Sequence, residues 1–277
     1  MKVSVLTPGY RTNEGFLRAA IESVLAQTFA DFELILLDDC PEDSREAVVK
    51  DYRDARIVYV KNERNLGIAE SRNRLIDLAR GEYLAVFDHD DVCRPERLAR
   101  EVAYLDSHPE CGVVGGWTKP SCGAENRYPE NDHEIKVAMM DGISLWHPSA
   151  MVRKPLLDRL GLRYEADYSP VEDYMLWMRL VPHTVFHNLP EVLLDYRWHG
   201  GNTSIIRRRE LEAQDLRVKA WAQVHLPELH AECALCRETL TRVRLLGLPL
   251  LKVVSRRRET IVRFLGLPVA RLQRRFR

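Results

Sequence analysis

Apolar and polar positions alternate in blocks along the first hundred residues. Val3–Leu6 is a short β-branched run that stops at Thr7-Pro8-Gly9, which predicts a strand followed by a turn. Phe16, Leu17, Ala20, Ile21, Val24 and Leu25 then recur at helical spacing and predict an amphipathic helix. Phe32–Leu37 is apolar except for Glu33, as expected of a strand covered on both faces, and it ends at Asp38-Asp39. A polar helix from about Ser44 to Tyr52 leads to the strand Ile57–Val60. Ile68–Ala79 reads as a second amphipathic helix, with Gly81 as its C′ residue. Tyr83–Phe87 is a strand that runs into Asp88-His89-Asp90-Asp91, and Pro95 marks the start of a helix striped by Leu98, Val102 and Leu105.

The resulting βαβαβαβα order calls for a mostly parallel sheet with helices on both faces. Ligands bind such sheets beyond the carboxyl ends of the strands. Three polar clusters fall there: Pro8-Gly9-Tyr10, Asp38-Asp39 and Asp88–Asp91. From 106 to 205 the rhythm loosens. Strands are expected at Gly112–Trp117, Ser149–Val152, Thr184–His187 and Val192–Tyr196, with helices at Glu134–Met140 and Val171–Leu180. A long charged helix follows from Arg207 to about Val224, and Leu-Gly-Leu-Pro occurs at both 246–249 and 265–268. The expected organisation is a donor half at 1–105, an acceptor half at 106–205 and a helical, basic extension at 206–277.

Composition and charge narrow the class. With 45% hydrophobic and 30% charged residues the 277-residue chain can bury a core. No uncharged apolar run approaches the roughly 18–20 residues of a membrane-spanning helix, and Met1–Tyr10 reads as a strand rather than a leader. The expected setting is the cytoplasm, with six cysteines as free thiols. A formal net charge of zero conceals an uneven distribution, because residues 237–277 hold twelve Lys and Arg against two Asp and Glu. The body is therefore acidic, which argues against nucleic acid as a partner, while the tail suits an anionic membrane surface, with helical lipid contact one reading and a solvated helix the other.

Three aspartates in four residues concentrate like charge unless a cation sits among them. Hard carboxylate oxygens suit Mg²⁺ or Mn²⁺, and Mg²⁺ commonly combines one or two carboxylates with substrate phosphates. That reading makes Asp88–Asp91 a metal–diphosphate site; the plainer one is an exposed turn with Asp91 as a helix cap. The phosphate-cradling alternatives are missing, since the first strand is followed by neither G-x-G-x-x-G nor a Walker loop. His199, ahead of Gly200-Gly201, is a candidate further ligand for metal or diphosphate or else a structural histidine, and His147 is a weaker candidate. Cys233-x-x-Cys236 has zinc-knuckle spacing, but it stands alone and reads as packing in a helix.

Taken in order, Val3-Ser4-Val5-Leu6-Thr7-Pro8-Gly9-Tyr10, Ser23–Thr28, Phe32–Ile35, Asp38-Asp39, Asn65-Leu66-Gly67, Ser71-Arg72-Asn73, Gly81-Glu82-Tyr83 and Asp88–Asp91 resemble the GT-A-fold family 2 glycosyltransferases. The match continues more thinly through His147-Pro148-Ser149, Glu172-Asp173-Tyr174 and Tyr196–His199. The resemblance implies an α/β GT-A-like domain. It also implies an inverting, metal-dependent enzyme that moves a sugar from a nucleotide-diphosphate donor, expected to be a UDP-sugar, to a hydroxyl of a glycan or lipid-linked acceptor. Such enzymes build surface polysaccharide at the inner face of the cytoplasmic membrane, so peripheral attachment through the tail is expected. Pro8, Tyr10 and Asp39 would hold base and ribose, with Arg72 along the same pocket and Asp88 at the ribose. Asp90 would ligate Mn²⁺ or Mg²⁺; His199 remains the further candidate ligand read from its own loop. Glu172-Asp173 would carry the catalytic base, assigned to Asp173.

Two departures touch the base contacts: Arg11 stands where the family has Asn, and Cys40-Pro41 where it has Gly-Ser or close to it. Leu194 replaces the Gln of the processive Gln-x-x-Arg-Trp motif, which favours one sugar per encounter. A nucleotidyltransferase is the alternative enzyme, although Pro8-Gly9-Tyr10-Arg11 is a poor glycine-rich loop for one. A nucleotide-sugar-binding protein with an idle site is the non-enzymatic alternative.

Overall fold

Each of the first four strands is a mostly apolar run, and each takes its place in one parallel array. They are β1 (Val3–Gly9), β2 (Phe32–Asp38), β3 (Ile57–Lys61) and β4 (Tyr83–Val86), alternating with α1 (Glu14–Leu25), α2 (Glu46–Lys50) and α3 (Ile68–Leu78). The computed structural model describes residues 1–236 and, beyond them, 239–245, 248–255, 259–264 and 267–273. The chain continues through β5 (Val92–Cys93), α4 (Arg97–Ser107), β6 (Cys111–Pro120), α5 (Asp132–Met139), β7 (Met151–Arg153), α6 (Lys154–Leu160), α7 (Glu172–Leu180), β8 (Val185–Tyr196), α8 (Thr203–Ile206) and α9 (Arg208–His225).

The eight strands form one sheet in the order β3-β2-β1-β4-β7-β6-β8-β5. β1 to β4 are parallel, whereas β7 runs antiparallel to both β4 and β6 and β5 runs antiparallel to β8. This topology carries the chain from β4, at the centre, through Asp88–Asp91 to β5 at the far edge. The acidic loop therefore leaves the carboxyl end of β4 at the sheet edge that also holds the amino end of β7 and the carboxyl ends of β6 and β8. Leu34, Val5, Ala85, Val114 and Met151 from the sheet pack with Leu17, Ile21, Leu98 and Val102 from the helices to form the core.

One polar group within that core explains a motif. Glu33 is buried, accepts from Ser4 Oγ at 2.6 Å and binds the Arg80 guanidinium at 2.6 Å, while the Gly81 N–H donates to Ser4 Oγ at 2.8 Å. A Cβ at Gly81 would stand 2.5 Å from Ser4 N. Gly81 is thus required by close approach to β1, not as the expected helix C′ residue. α3 ends at Leu78, three positions earlier.

The irregular half departs further. Thr184–His187 and Val192–Tyr196, expected as two strands, are one strand, β8. Its register against β6 skips Pro190 and Glu191, pairing Gly116 with Leu189 and Trp117 with Val192. A bulge thus absorbs the residues that read as a break. Five cysteines, Cys40, Cys93, Cys111, Cys122 and Cys233, are free.

The chain divides into two compact units, Met1–Trp221 and Ala222–Arg277. In the second, α10 (Pro227–Cys236) precedes β9 (Thr239–Leu245), β10 (Leu248–Ser255), β11 (Glu259–Phe264) and β12 (Leu267–Gln273), an antiparallel sheet in the order β12-β11-β10-β9. The helical extension expected over 206–277 therefore holds only as far as Cys236, and a lipid-lying helix over 237–277 is ruled out where the backbone is described. Thr239, Thr241 and Val243 are β-branched residues of the kind that favours a strand. Leu248-Pro249 and Leu267-Pro268, the ends of the two repeats, open β10 and β12. No helix among the described residues is long and apolar enough to cross a membrane.

Candidate active site

The acidic loop is drawn inward at its last residue. Asp91 is fully buried, and its Oδ1 accepts the Arg197 N–H at 2.8 Å while Oδ2 has no partner. Burial and the neighbouring Asp88 and Asp90 push its pKa up to about 9. One carboxylate oxygen each from Asp88, Asp90 and Asp91 can be chosen so that all three lie within 4.8 Å of one another. An unsatisfied buried oxygen within such a cluster costs stability. A hard divalent cation would satisfy the oxygens and offset their repulsion, so these residues fit Mg²⁺ or Mn²⁺.

His199 closes on the loop from the segment after β8. Its Nε2 lies 2.9 Å from Asp90 Oδ2, and its Nδ1 accepts the Gly201 N–H at 3.1 Å. The second contact leaves Nε2 as the protonated nitrogen of the neutral ring, donating to Asp90. His199 is thus beside the cluster, with its ring 5.1 Å from that of Phe16.

The other side of the site is organised by α3. Arg72 NH1 donates to Glu172 Oε1 at 2.5 Å, and its NH2 lies 3.5 Å from Asp88 Oδ1. Burial raises the pKa of Asp88 while Arg72 opposes the rise. Glu172 and Asp173 open α7, where the helix dipole favours carboxylates. Glu172 is 2% exposed, whereas Asp173 keeps partial access to solvent. Burial and the charge of Glu172 raise the Asp173 pKa to about 6. Through Asp88, Arg72 and Glu172 the acidic loop and Asp173 are brought to one side of the molecule.

The neighbouring Asn73 has a role that the sequence did not reveal. Its Nδ2 donates to the Tyr164 carbonyl at 2.9 Å and its Oδ1 accepts the Tyr164 N–H at 2.8 Å. The Tyr164 hydroxyl in turn meets His147 Nε2 at 2.8 Å. His147 is buried, and desolvation with Arg72 and Arg97 nearby holds its pKa well below the ordinary value. A neutral interior histidine bonded to tyrosine is no ligand of the acidic cluster, contrary to the weaker expectation for it. Ser71-Arg72-Asn73 was legible as a motif, but Tyr164 lies 91 residues from Asn73 and carried no local signal.

At the end of β1 the Pro8 carbonyl accepts from His89 Nδ1 at 3.0 Å, tying the Pro8-Gly9-Tyr10 turn to the acidic loop. Tyr10 is 41% exposed, and the Arg11 guanidinium carbon lies 5.3 Å from its ring centroid. Arg11 has φ +48°, the left-handed region that asparagine tolerates better than arginine. This gives a physical reason for the family's Asn at that position. Asp39 is buried: its Oδ1 accepts from Asn62 Nδ2 at 2.6 Å and Leu66 N–H at 2.8 Å, and its Oδ2 from Gly67 N–H at 2.9 Å. It holds the Asn65-Leu66-Gly67 turn that caps α3.

Known proteins supply a comparison for this geometry. The family model described as "Glycosyl transferase family 2" matches residues 4–164. An uncharacterized glycosyltransferase of Methanocaldococcus jannaschii is 33% identical over 205 residues, 70% of each chain. The Escherichia coli UDP-Glc:alpha-D-GlcNAc-diphosphoundecaprenol beta-1,3-glucosyltransferase WfaP is 26% identical over 220 residues, covering 76% of this chain and 83% of that protein. Among solved structures, residues 1–349 of S. aureus TarS in complex with UDP superpose with a TM-score of 0.68 at 22% identity. That superposition covers 84% of this chain and 71% of the TarS chain, and at such identity it speaks for the fold.

Proposed function

The chain belongs to glycosyltransferase family 2 and is a glycosyltransferase with a GT-A-like domain, and from this premise we propose that it is an inverting, metal-dependent enzyme using a nucleotide-diphosphate sugar. The donor in this proposal is a UDP-sugar, and the acceptor is a hydroxyl of a glycan or lipid-linked saccharide in surface polysaccharide biosynthesis. WfaP is a UDP-glucose-dependent enzyme acting on a diphosphoundecaprenol-linked sugar, which supports both halves of that reading. Family membership disposes of the nucleotidyltransferase and idle-site alternatives.

The observation that carries the proposal is the Arg72 bridge from Glu172 to Asp88. It sets a partly accessible carboxylate, Asp173, within one continuous network of charged side chains that includes the acidic loop. Asp173 takes the acceptor hydroxyl proton as the acceptor oxygen bonds to the anomeric carbon and the bond to the diphosphate oxygen breaks. A single in-line displacement inverts the anomeric centre. Glu172, locked to Arg72, then orients that guanidinium and raises the basicity of Asp173 rather than taking a proton itself. Pro8, Tyr10, Asp39, Arg72 and Asp88 form the donor pocket in this reading, with Asp39 acting partly through the turn it braces.

Asp90, with Asp88 and Asp91 around it and His199 within reach, would hold the divalent cation. Bound there, Mn²⁺ or Mg²⁺ supplies charge neutralisation for the departing diphosphate. The twelve Lys and Arg of 237–277 support peripheral docking on an anionic membrane surface as a further part of the proposal. A thermal-shift panel of nucleotide sugars, with and without Mn²⁺, tests the donor assignment because a bound donor stabilises the fold by mass action. Metal-dependent stabilisation by UDP-sugars is the expected result, and a panel in which no nucleotide sugar raises the Tm would defeat it.

A further inference from the structure

Arg97 and Glu101 lie one helical turn apart on α4, and both are 0% exposed. The guanidinium has a partner on every side. NH2 donates to the Val86 carbonyl at 2.7 Å and to the Ala150 carbonyl at 3.3 Å. NH1 donates to Cys93 Sγ at 3.4 Å, and Nε faces both Glu101 oxygens at 3.3 and 3.4 Å. Val86 is the last residue of β4, two positions before Asp88, and Cys93 lies in β5, two positions after Asp91. Ala150 closes the His147-Pro148-Ser149 turn and leads into β7. The Val86 N–H also donates to the Ala150 carbonyl, at 2.9 Å. Beyond that bond β4 and β7 part, and the guanidinium fills the fork between them.

A fully buried ion pair is a weak source of stability, since desolvation offsets its attraction and an apolar pair of similar size often serves as well. What Arg97 contributes that an apolar side chain could not is a fixed separation between three backbone segments. Two of these are the ends of the acidic loop. Asp88, Asp90 and Asp91 crowd one carboxyl oxygen each within 4.8 Å of the others, and a loop anchored at one end alone would relax by spreading them.

We infer that Arg97, aimed by Glu101, is a positioning residue that holds both ends of the acidic loop and so sets the carboxylate spacing on which divalent-cation affinity depends. This rests on the reading of Asp88–Asp91 as the metal–diphosphate site. Supports behind metal ligands commonly govern affinity by about 10–100-fold.

The test compares the full-length protein with Arg97→Lys and with the double variant Arg97→Met/Glu101→Met. UDP affinity is measured by calorimetry without metal and with saturating Mn²⁺, beside the unfolding midpoint of each protein. The inference expects the Mn²⁺-dependent gain in UDP affinity to fall about tenfold or more in the double variant. It expects a smaller loss in Arg97→Lys, and metal-free UDP affinity unchanged in both. A purely structural role would shift the unfolding midpoint and leave the metal-dependent gain intact, which overturns the inference. If the double variant does not fold, Arg97→Lys decides, and a wild-type gain there overturns it equally. A wild-type protein whose UDP binding ignores Mn²⁺ would instead defeat the metal–diphosphate reading of the loop and this inference with it.

Discussion

Arg72 and Glu172, one hundred residues apart in sequence, meet across 2.5 Å in the interior of the site. The pair joins α3 to the first turn of α7, and the same guanidinium leans toward Asp88 at 3.5 Å. The buried guanidinium between two acidic groups offsets the cost of burying the Glu172 carboxyl, 2% exposed, beside a second one. It also divides the labour of the Glu172-Asp173 pair. In the proposed mechanism the residue locked to arginine positions, and the partly accessible one accepts the proton.

Asp173→Asn tests that division. The variant removes the base and preserves shape, so donor affinity with Mn²⁺ should stay within about twofold while turnover falls about 10²–10⁴-fold. Calorimetry and a transfer assay on one preparation separate the two effects. Retained turnover would show that another group takes the proton.

The pH profile follows from the same carboxyl. With its pKa raised to about 6, Asp173 is protonated below that pH and cannot act as a base, so kcat should fall about tenfold per unit as pH drops below 6 and level off above. For stability the sign is opposite. A raised carboxyl pKa favours the folded state at low pH, and that contribution is lost as pH rises from about 3.8 through about 6. Asp173→Asn should therefore raise the unfolding midpoint at pH 7 and leave it unchanged near pH 3.5. A kcat that stays flat down to pH 5 contradicts the assignment.

Arg11→Asn should stabilise the protein, by up to about 1 kcal/mol, because asparagine pays less for φ +48°. Urea unfolding at neutral pH reads the difference. A destabilised variant would mean that Arg11 gains more from its contact with Tyr10 than the backbone loses.

How much of this was legible depended on whether a signal was local. β1 to β4 were plain because each is a short, mostly apolar run bounded by polar or turn residues, and the polar residues that follow β1, β2 and β4 pointed to the site. β8 read as two strands because Pro190-Glu191 interrupts it, and only the pairing with β6 reveals the bulge. The 237–277 segment was read by its arginine clusters as a helix, although the β-branched Thr239, Thr241 and Val243 of β9 leaned toward a strand. Asp88, Asp90 and Asp173 stood out in the sequence by charge and motif. Their supports did not: Asn73 to Tyr164, Tyr164 to His147 and Arg97 to Ala150 are contacts between distant residues with no sequence pattern linking them.

The basic C-terminal segment gives a further prediction. Full-length protein should bind vesicles containing anionic lipid at low salt and release as ionic strength rises, since the attraction decays within a Debye length of about 10 Å at 0.1 M. Truncation after Cys236 should abolish the binding. Sedimentation with vesicles measures it, and failure of the full chain to bind at low salt removes membrane docking from the proposal.

The central claim is that a divalent cation held by Asp90 anchors the donor diphosphate. Calorimetric titration of UDP into wild type and Asp90→Ala, each with and without Mn²⁺, tests it most directly. The account predicts that Mn²⁺ tightens UDP binding to wild type and has no such effect on Asp90→Ala. An Asp90→Ala protein that binds UDP with Mn²⁺ as tightly as wild type would contradict it.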